Sequence, residues 1–244
     1  MPKRFLSAIS ITTGLLTILA GNTAFAAELS AFSSATGAAP PAPWHVLGLP
    51  GSYSKPLTQF DITELDNKKV LRVRTDKSYA NLVHAWQGKV STIAFNWRLD
   101  TPLLDANLKS KNTDDAALKV CLSFDMPMEK VPFADRAKLK LAQFLSQDHL
   151  PTATICYVWA QAEPIGADFD NAYSGRLHYF VLGSGEAKLK TWQTHQRNVQ
   201  ADFLKAFGNE TSNVPSVTAI IVGADSDNTL GASLGYVADI VVKP

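Results

Sequence analysis

The chain has 244 residues, of which 46% are hydrophobic and 18% are charged. This composition excludes a disordered, collagen-like or coiled-coil protein, and the length suits one large domain or two small ones. The formal net charge is +1, from 23 basic and 22 acidic residues, so no overall field favours nucleic acid or anionic lipid, and we expect no nucleic-acid partner.

The N-terminal residues have the pattern of a signal peptide. Positions 3 and 4 are basic, residues 6–20 form an apolar run, and residues 24–26 read Ala-Phe-Ala. A run of about 15 apolar residues is shorter than the ~20 that a membrane-spanning helix needs. The sequence therefore predicts a signal peptide over residues 1–26, cleavage after Ala26, and a periplasmic or secreted protein without a stable membrane anchor.

Two cysteines, Cys121 and Cys156, lie far apart in sequence, each inside a strand-like run. In an exported protein such a pair favours a disulfide over a metal or catalytic site. Two separate buried thiols are the alternative, because cysteine also packs well as a small apolar residue.

After the signal peptide, residues 27–56 are rich in Ala, Ser, Gly and Pro, which indicates an extended lead-in. Residues 57–244 are predicted to form a single β-sandwich domain. Apolar residues alternate with polar ones in several runs; in residues 92–99, for example, every second side chain is large and apolar. Strands are predicted at residues 59–65, 69–75, 80–86, 92–99, 117–124, 153–160, 177–182, 217–224 and 236–242.

Two segments have helical spacing. Residues 133–147 repeat apolar side chains at intervals of three and four, at Phe133, Ala137, Leu141, Phe144 and Leu145. A shorter helix is predicted over residues 199–207, with Gly208 as its C-terminal cap. Many short strands with one or two helical insertions indicate a mainly β fold, a jelly-roll-like antiparallel β-sandwich.

Several short motifs follow one another in a fixed order. They are Pro43-Trp44, Val70-Leu71-Arg72-Val73, Asn96-Trp97-Arg98, Asp114-Asp115-Ala116-Ala117, Tyr157-Val158-Trp159, Trp192 with Arg197-Asn198-Val199 and Asp202, Phe207-Gly208, and Asp225-Ser226-Asp227-Asn228-Thr229. This ordered set resembles the bacterial family called domain of unknown function 3047, except that Asn96 stands where an aromatic residue or arginine is expected. The resemblance implies an exported jelly-roll protein, similar in outline to carbohydrate-binding sandwiches, and implies no established activity.

Carboxylates offer the clearest candidates for chemistry. Paired acids are the usual general acid and base of glycan hydrolysis, and the candidates are Asp114, Asp115, Asp202, Asp225 and Asp227. Asp225, Asp227 and Asn228 also resemble the opening of a calcium loop, although the later positions of that loop do not match. The alternative for this segment is a turn after a buried strand. No motif demands a cofactor, and calcium is the one ion that the sequence suggests.

Binding is the function that the strand faces favour. Arg98, Lys119 and Ser123 alternate away from the apolar face, and Tyr157 and Trp159 share one face of a strand that periodicity does not orient. If that face meets solvent, aromatic and polar groups together suit a sugar; the alternative is that both rings are core. The predicted ligand-binding residues are Arg98, Asp114, Asp115, Tyr157, Trp159, Trp192, Arg197 and Asp202.

The sequence thus predicts a non-catalytic binding module for an envelope or environmental glycan. Two alternatives stay open: an enzyme that acts on a glycan through paired Asp residues, and a structural or assembly protein of the cell envelope. The oligomeric state is left open.

Overall fold

The computed structural model describes residues 28–49, 55–146 and 150–244, so the predicted signal peptide falls outside the described residues. These residues form two packed β-sheets and two α-helices. The helices are α1 (Phe133–Ser146) and α2 (Val199–Phe207). The strands are β1 (His45–Leu47), β2 (Gln59–Leu65), β3 (Lys68–Asp76), β4 (Tyr79–Gly88), β5 (Thr92–Thr101), β6 (Leu118–Phe124), β7 (Ala153–Ala160), β8 (Asp168–Asp170), β9 (Leu177–Ser184), β10 (Gln193–Asn198), β11 (Val217–Asp225), β12 (Ala232–Val237) and β13 (Val241–Lys243).

The larger sheet has seven strands in the order β1-β4-β11-β6-β7-β9-β8. The smaller sheet has six, in the order β10-β5-β12-β3-β2, with β13 also paired to β5. Their strands pair antiparallel, except that β7 and β9 run parallel. The predicted fold class, a mainly β sandwich of jelly-roll type, is confirmed.

The alternating runs place the core between the two sheets. In β5 the side chains of Ile93, Phe95, Trp97 and Leu99 are buried while their neighbours are half-buried. They meet the inward side chains of β6 and β7 in one continuous apolar cluster. The period-two pattern therefore identified the inward face of β5 and β6 correctly, whereas it left β7 without an orientation.

The outward face of the seven-stranded sheet is also covered over β6, β7 and β9, which the alternation did not predict. Leu108 and Ala116 of the β5–β6 connection and Phe169 of β8 pack against the outward residues of β6, β7 and β9. Lys119 and Ser123, predicted to face solvent, are buried beneath this cover. A strand that is buried on both faces can still alternate between apolar and polar residues, if the polar residues find polar partners on its outward side.

The segment predicted as an extended lead-in is part of the domain. Strand β1 pairs antiparallel with β4, and the rings of Phe32 and Trp44 are buried in the main core. Strand β10 was also missed, because its sequence Gln-Thr-His-Gln-Arg-Asn is polar on both faces. The predicted strand 236–242 is divided between β12 and β13.

The helix predictions agree closely with the structure. The side chain of Asn198 caps α2 by accepting a hydrogen bond from the Ala201 amide at 2.9 Å. Gly208 follows α2 in a right-handed helical conformation and not in the left-handed one that a glycine cap usually adopts. Among the described residues, no helix has the length and apolar character needed to cross a membrane.

The predicted disulfide is confirmed. Cys121 of β6 and Cys156 of β7 lie opposite each other in the strand register and are bonded. The bond lies on the outward side of the seven-stranded sheet, among the residues that Leu108, Ala116 and Phe169 cover.

Candidate functional site

Tyr157 and Trp159 lie in the core, so the hypothesis that they line a ligand-binding face is wrong. The side chains are 0% and 1% exposed and point from β7 toward the other sheet. The Trp159 ring packs against Gly183, where an added Cβ would approach the ring to 2.6 Å. A ligand cannot reach either ring in this conformation.

Arg197 and Asp202 form a structural brace. The Arg197 guanidinium donates to both carboxylate oxygens of Asp202, at 2.9 and 2.6 Å. The Tyr157 hydroxyl donates to the same carboxylate at 2.8 Å, and burial raises the pKa of Tyr157, which keeps this donor protonated. The three residues connect β10, α2 and β7. Their polar side-chain groups bond to one another, so this arrangement does not depend on a ligand.

Arg98 and Trp192, in contrast, are brought together on the outward face of the six-stranded sheet. Arg98 donates to both oxygens of Asp100, at 2.6 and 3.0 Å. A third bond of 3.3 Å joins Arg98 to Asp66, whose Oδ2 also accepts from the indole Nε1 of Trp192 at 2.8 Å. The indole is half-buried, and its exposed part lies beside these charged groups.

A second ion pair extends this surface across the sheet. Arg72 donates to both oxygens of Asp61, at 3.2 and 2.5 Å, and these hydrogen bonds raise the pKa of Arg72. Tyr236 lies between the two arginines, opposite Arg72 in β3 and Arg98 in β5. We call this surface the arginine face; its residues are Asp61, Asp66, Arg72, Arg98, Asp100, Trp192 and Tyr236.

The arginine face is curved, because its contacts join the two edges of the sheet. Asp66 lies in the hairpin between β2 and β3 at one edge, and Trp192 directly precedes β10 at the other edge. Asp66 and Asn67 both have positive φ, as a two-residue hairpin turn requires. This contact between segments from opposite edges agrees with a sheet that curls over its outward face.

A groove of about 700 Å³ adjoins the arginine face. Arg74 both lines the groove and donates to Asp61 at 3.2 Å, so the two surfaces are continuous. The remaining lining combines polar residues, among them Gln59, Asp76, Lys77, Ser78, Thr101 and Ser233, with the apolar Pro56, Leu57, Ala232 and Leu234.

The predicted carboxylates also converge, at the end of β11. Carboxylate oxygens of Asp115, Asp225 and Asp227 lie within 4.8 Å of one another. Lys119 donates to Asp225 at 2.7 Å, and Asp115 accepts from the amide and the hydroxyl of Thr229, both at 2.6 Å. These bonds support the interpretation of a turn, and a cation at Asp225 would compete with the Lys119 ammonium.

Asn228 takes the role of a donor in this turn. Its backbone amide donates to Asp115 at 3.2 Å and its side-chain amide donates to the Lys111 carbonyl at 3.1 Å. The cluster therefore brings together two of the three predicted calcium ligands, Asp225 and Asp227, with Asp115 as the third acid. Calcium binding stays a prediction.

Asp114 lies in the same region but is isolated from solvent. Its Oδ2 accepts from Asn171 at 2.5 Å, and its Oδ1 has no hydrogen-bond partner among the described residues. Burial, together with the charge of Asp225, raises the pKa of Asp114 to about 6. Asp114, Asp115 and Asp225 are each at most 6% exposed, so a glycan chain cannot contact their carboxylates in this conformation.

The arginine face contains residues that the sequence analysis did not select. Asp61, Asp66, Asp100 and Tyr236 come from four different segments, which no local motif connects. One signal was present: Asp66-Asn67 between two alternating runs is a hairpin signal, and the arginines of β3 alternate away from the apolar face. Their common surface depends on the strand order.

Comparison with known proteins identifies the family. A model described as "Protein of unknown function (DUF3047)" matches residues 42–241. The chain belongs to this family. No curated protein matches the sequence.

Three of the solved structures that the chain matches are a carbohydrate-binding module and two glycanases. The carbohydrate-binding module TmCBM61, in complex with β-1,4-galactotriose, has 8% identity and a TM-score of 0.35, over 83% of this chain and 88% of that one. Endoglucanase 3 of Trichoderma harzianum, from family GH12, has 11% identity and a TM-score of 0.41, over 83% and 98%. A family 12 xyloglucanase of Bacillus licheniformis has 11% identity and a TM-score of 0.43, over 82% and 93%. At these identities and TM-scores the likeness assigns no property of these proteins to this chain.

Proposed function

We propose that this member of the family is a non-catalytic binding protein whose ligand is a glycan held along the arginine face. The observation that carries the proposal is the partly exposed Trp192 indole, fixed by Asp66 next to Arg98 on a curled sheet. A curved sheet with one polar and aromatic side offers a long shallow surface, which suits a chain of sugar rings.

The chemistry of the face matches that of a sugar. A pyranose has apolar C–H patches, which stack on an aromatic ring, and hydroxyls that both donate and accept hydrogen bonds. Guanidinium groups supply donors and carboxylates supply acceptors. Because Arg72 and Arg98 are already held by two-point contacts to Asp61 and Asp100, little side-chain entropy is lost when a ligand binds.

The carboxylates of the face favour binding over catalysis. A glycosidase needs one protonated carboxyl group and a second carboxylate across the scissile bond. Both oxygens of Asp61 and of Asp100 accept from arginine, and Asp66 accepts from Arg98 and Trp192. Each of these three acids thus serves as an acceptor, which leaves no evident proton donor among them.

The proposal includes an exported location for the protein. The disulfide is typical of proteins from an oxidising compartment, which fits a periplasmic or secreted protein with access to an envelope or environmental glycan.

The proposal is tested by substitution of the exposed tryptophan. Trp192→Ala should weaken binding to the best ligand of a glycan array by about 10- to 100-fold, because one stacking ring contributes roughly 1 to 3 kcal/mol. Arg98→Ala should weaken it as well. Titration calorimetry on the wild type and both variants measures the change.

Tyr173→Ala is the matched control, since Tyr173 is exposed and lies beside β8 of the other sheet. It should bind like the wild type. Failure of the wild type to bind any glycan, or equal loss in the control, would refute the proposal. Release of new reducing ends from a bound glycan would support the enzyme alternative.

A further inference from the structure

Helix α1 has an exposed apolar stripe. Phe133 is 82% exposed and Leu141 is 60% exposed, and Ala137 between them is also exposed. The three residues are four positions apart, so they lie along one side of the helix. An aromatic ring and a leucine in water on one stripe are costly unless something covers them.

The opposite side of α1, which is more polar, attaches the helix to the body of the protein. Arg136 donates to the carbonyls of Glu129 and Val131, at 3.0 and 2.9 Å. Asp135 lies 3.4 Å from the buried Arg176 guanidinium, and Leu139 is buried in the main apolar core. Over residues 133–141, the part of α1 whose side chains are described, more apolar side chains therefore face outward than inward, unlike the usual surface helix.

Two lysines border the exposed stripe. At 100° per residue, Lys140 lies on one side of the line through Phe133 and Leu141, and Lys138 lies on the other. Lys138 has a side chain that is 78% exposed, and Lys140 is exposed too. The acidic residue of this helix segment, Asp135, contacts the inward Arg176 at 3.4 Å and lies 3.9 Å from the Lys138 ammonium, whereas Lys140 forms no ion pair among the described residues.

We propose that α1 docks the protein onto an anionic phospholipid bilayer. The apolar stripe enters the boundary between headgroups and acyl chains, and Lys138 and Lys140 contact the phosphate groups. The helix has 14 residues and lies in the plane of the surface, because spanning a bilayer needs ~20. The balanced charge of the whole chain supplies no general attraction, so binding depends on this one helix.

Charge favours a lipid surface over a second copy of the chain. Two copies that met stripe to stripe would bring four lysines together, and Asp135 lies near only Lys138 of each copy, at 3.9 Å. An anionic bilayer complements the same lysines and covers the same apolar residues.

The test is flotation of the purified protein with vesicles of phosphatidylglycerol and phosphatidylcholine, compared with vesicles of phosphatidylcholine alone. The wild type should float with the anionic vesicles and be released by roughly 0.5 M salt. The double variants F133S/L141S and K138E/K140E should each reduce the bound fraction by about tenfold or more. Circular dichroism should show that both variants stay folded, since they change exposed side chains.

Two double variants serve as controls. L104S/I165S removes two similarly exposed apolar side chains elsewhere, and K68E/K243E makes the same change in net charge. Both should float like the wild type. Equal binding to neutral vesicles, no binding at all, or equal loss in the controls would overturn the proposal. A dimer in size-exclusion chromatography that F133S/L141S abolishes would assign the stripe to a second copy instead.

Discussion

Two tryptophans that look alike in sequence have different surroundings in the fold. Trp159 points between the sheets and contacts Trp97 at 6.0 Å between ring centroids. Trp192 lies on the outward side and donates to Asp66. The direction of each ring relative to the two sheets, and not its local motif, decides whether it packs or binds.

Trp159→Ala should lower the free energy of unfolding by about 3 to 5 kcal/mol, because the buried ring leaves a cavity that Gly183 cannot fill. Denaturant titration measures the loss. Trp192→Ala is the matched comparison and should change stability much less. An unchanged midpoint for the Trp159 variant would contradict the core position.

Asp114 predicts a pH dependence of stability. Its pKa rises from 3.8 to about 6 on folding, mainly through burial, so between pH 4 and 6 the folded state holds a proton that the unfolded state has lost. The carboxyl group therefore contributes stability at low pH, and that contribution falls as the pH rises through this window, by about 2 to 3 kcal/mol in all.

Asp114→Asn should remove this contribution, since the amide stays neutral throughout. Denaturant midpoints of both proteins at pH 4.5 and 7.5 give the difference, with the exposed Asp105→Asn as the control. If the unfolding free energies of the wild type and the variant differ by the same amount at both pH values, the raised pKa of Asp114 is contradicted.

At the scale of elements, β6 and β7 show that the period-two pattern of a strand does not reveal whether its second face is also buried. Both strands are buried along their whole length, since the β5–β6 connection and β8 pack on their outward side. The disulfide joins them on that same side. Covering segments of this kind carry no regular pattern of their own, and their contacts are distant in sequence.

Cys121→Ser combined with Cys156→Ser should lower the unfolding free energy by at most about 4 kcal/mol, because the bond closes a loop across 35 residues in the unfolded chain. Thermal melts of the oxidised protein and the double variant measure this. Protein purified without reductant should show no thiol that reacts with an alkylating reagent. Two free thiols there would contradict the bond.

On the scale of the whole molecule, the two sheets differ in what covers them. The outward side of the seven-stranded sheet is covered over β6, β7 and β9 by the β5–β6 connection and β8, whereas that of the six-stranded sheet carries ion pairs and a partly exposed indole. This asymmetry directs the proposed glycan to the arginine face. Helix α1 adds a second exposed surface, whose apolar stripe was predicted from its spacing but whose outward direction was not.

The sequence by itself determined the mainly β architecture, the helices, the family and the cysteine pair, because periodicity, capping residues and motif order are local properties. The signal peptide and the mature N-terminus at Ala27 are also sequence predictions, which peptide mapping would check. Only the tertiary structure decided which aromatic rings are core and which acids meet. Asp66 and Trp192 are 126 residues apart, and their contact depends on strand order and sheet curvature, which arise from packing over the whole chain.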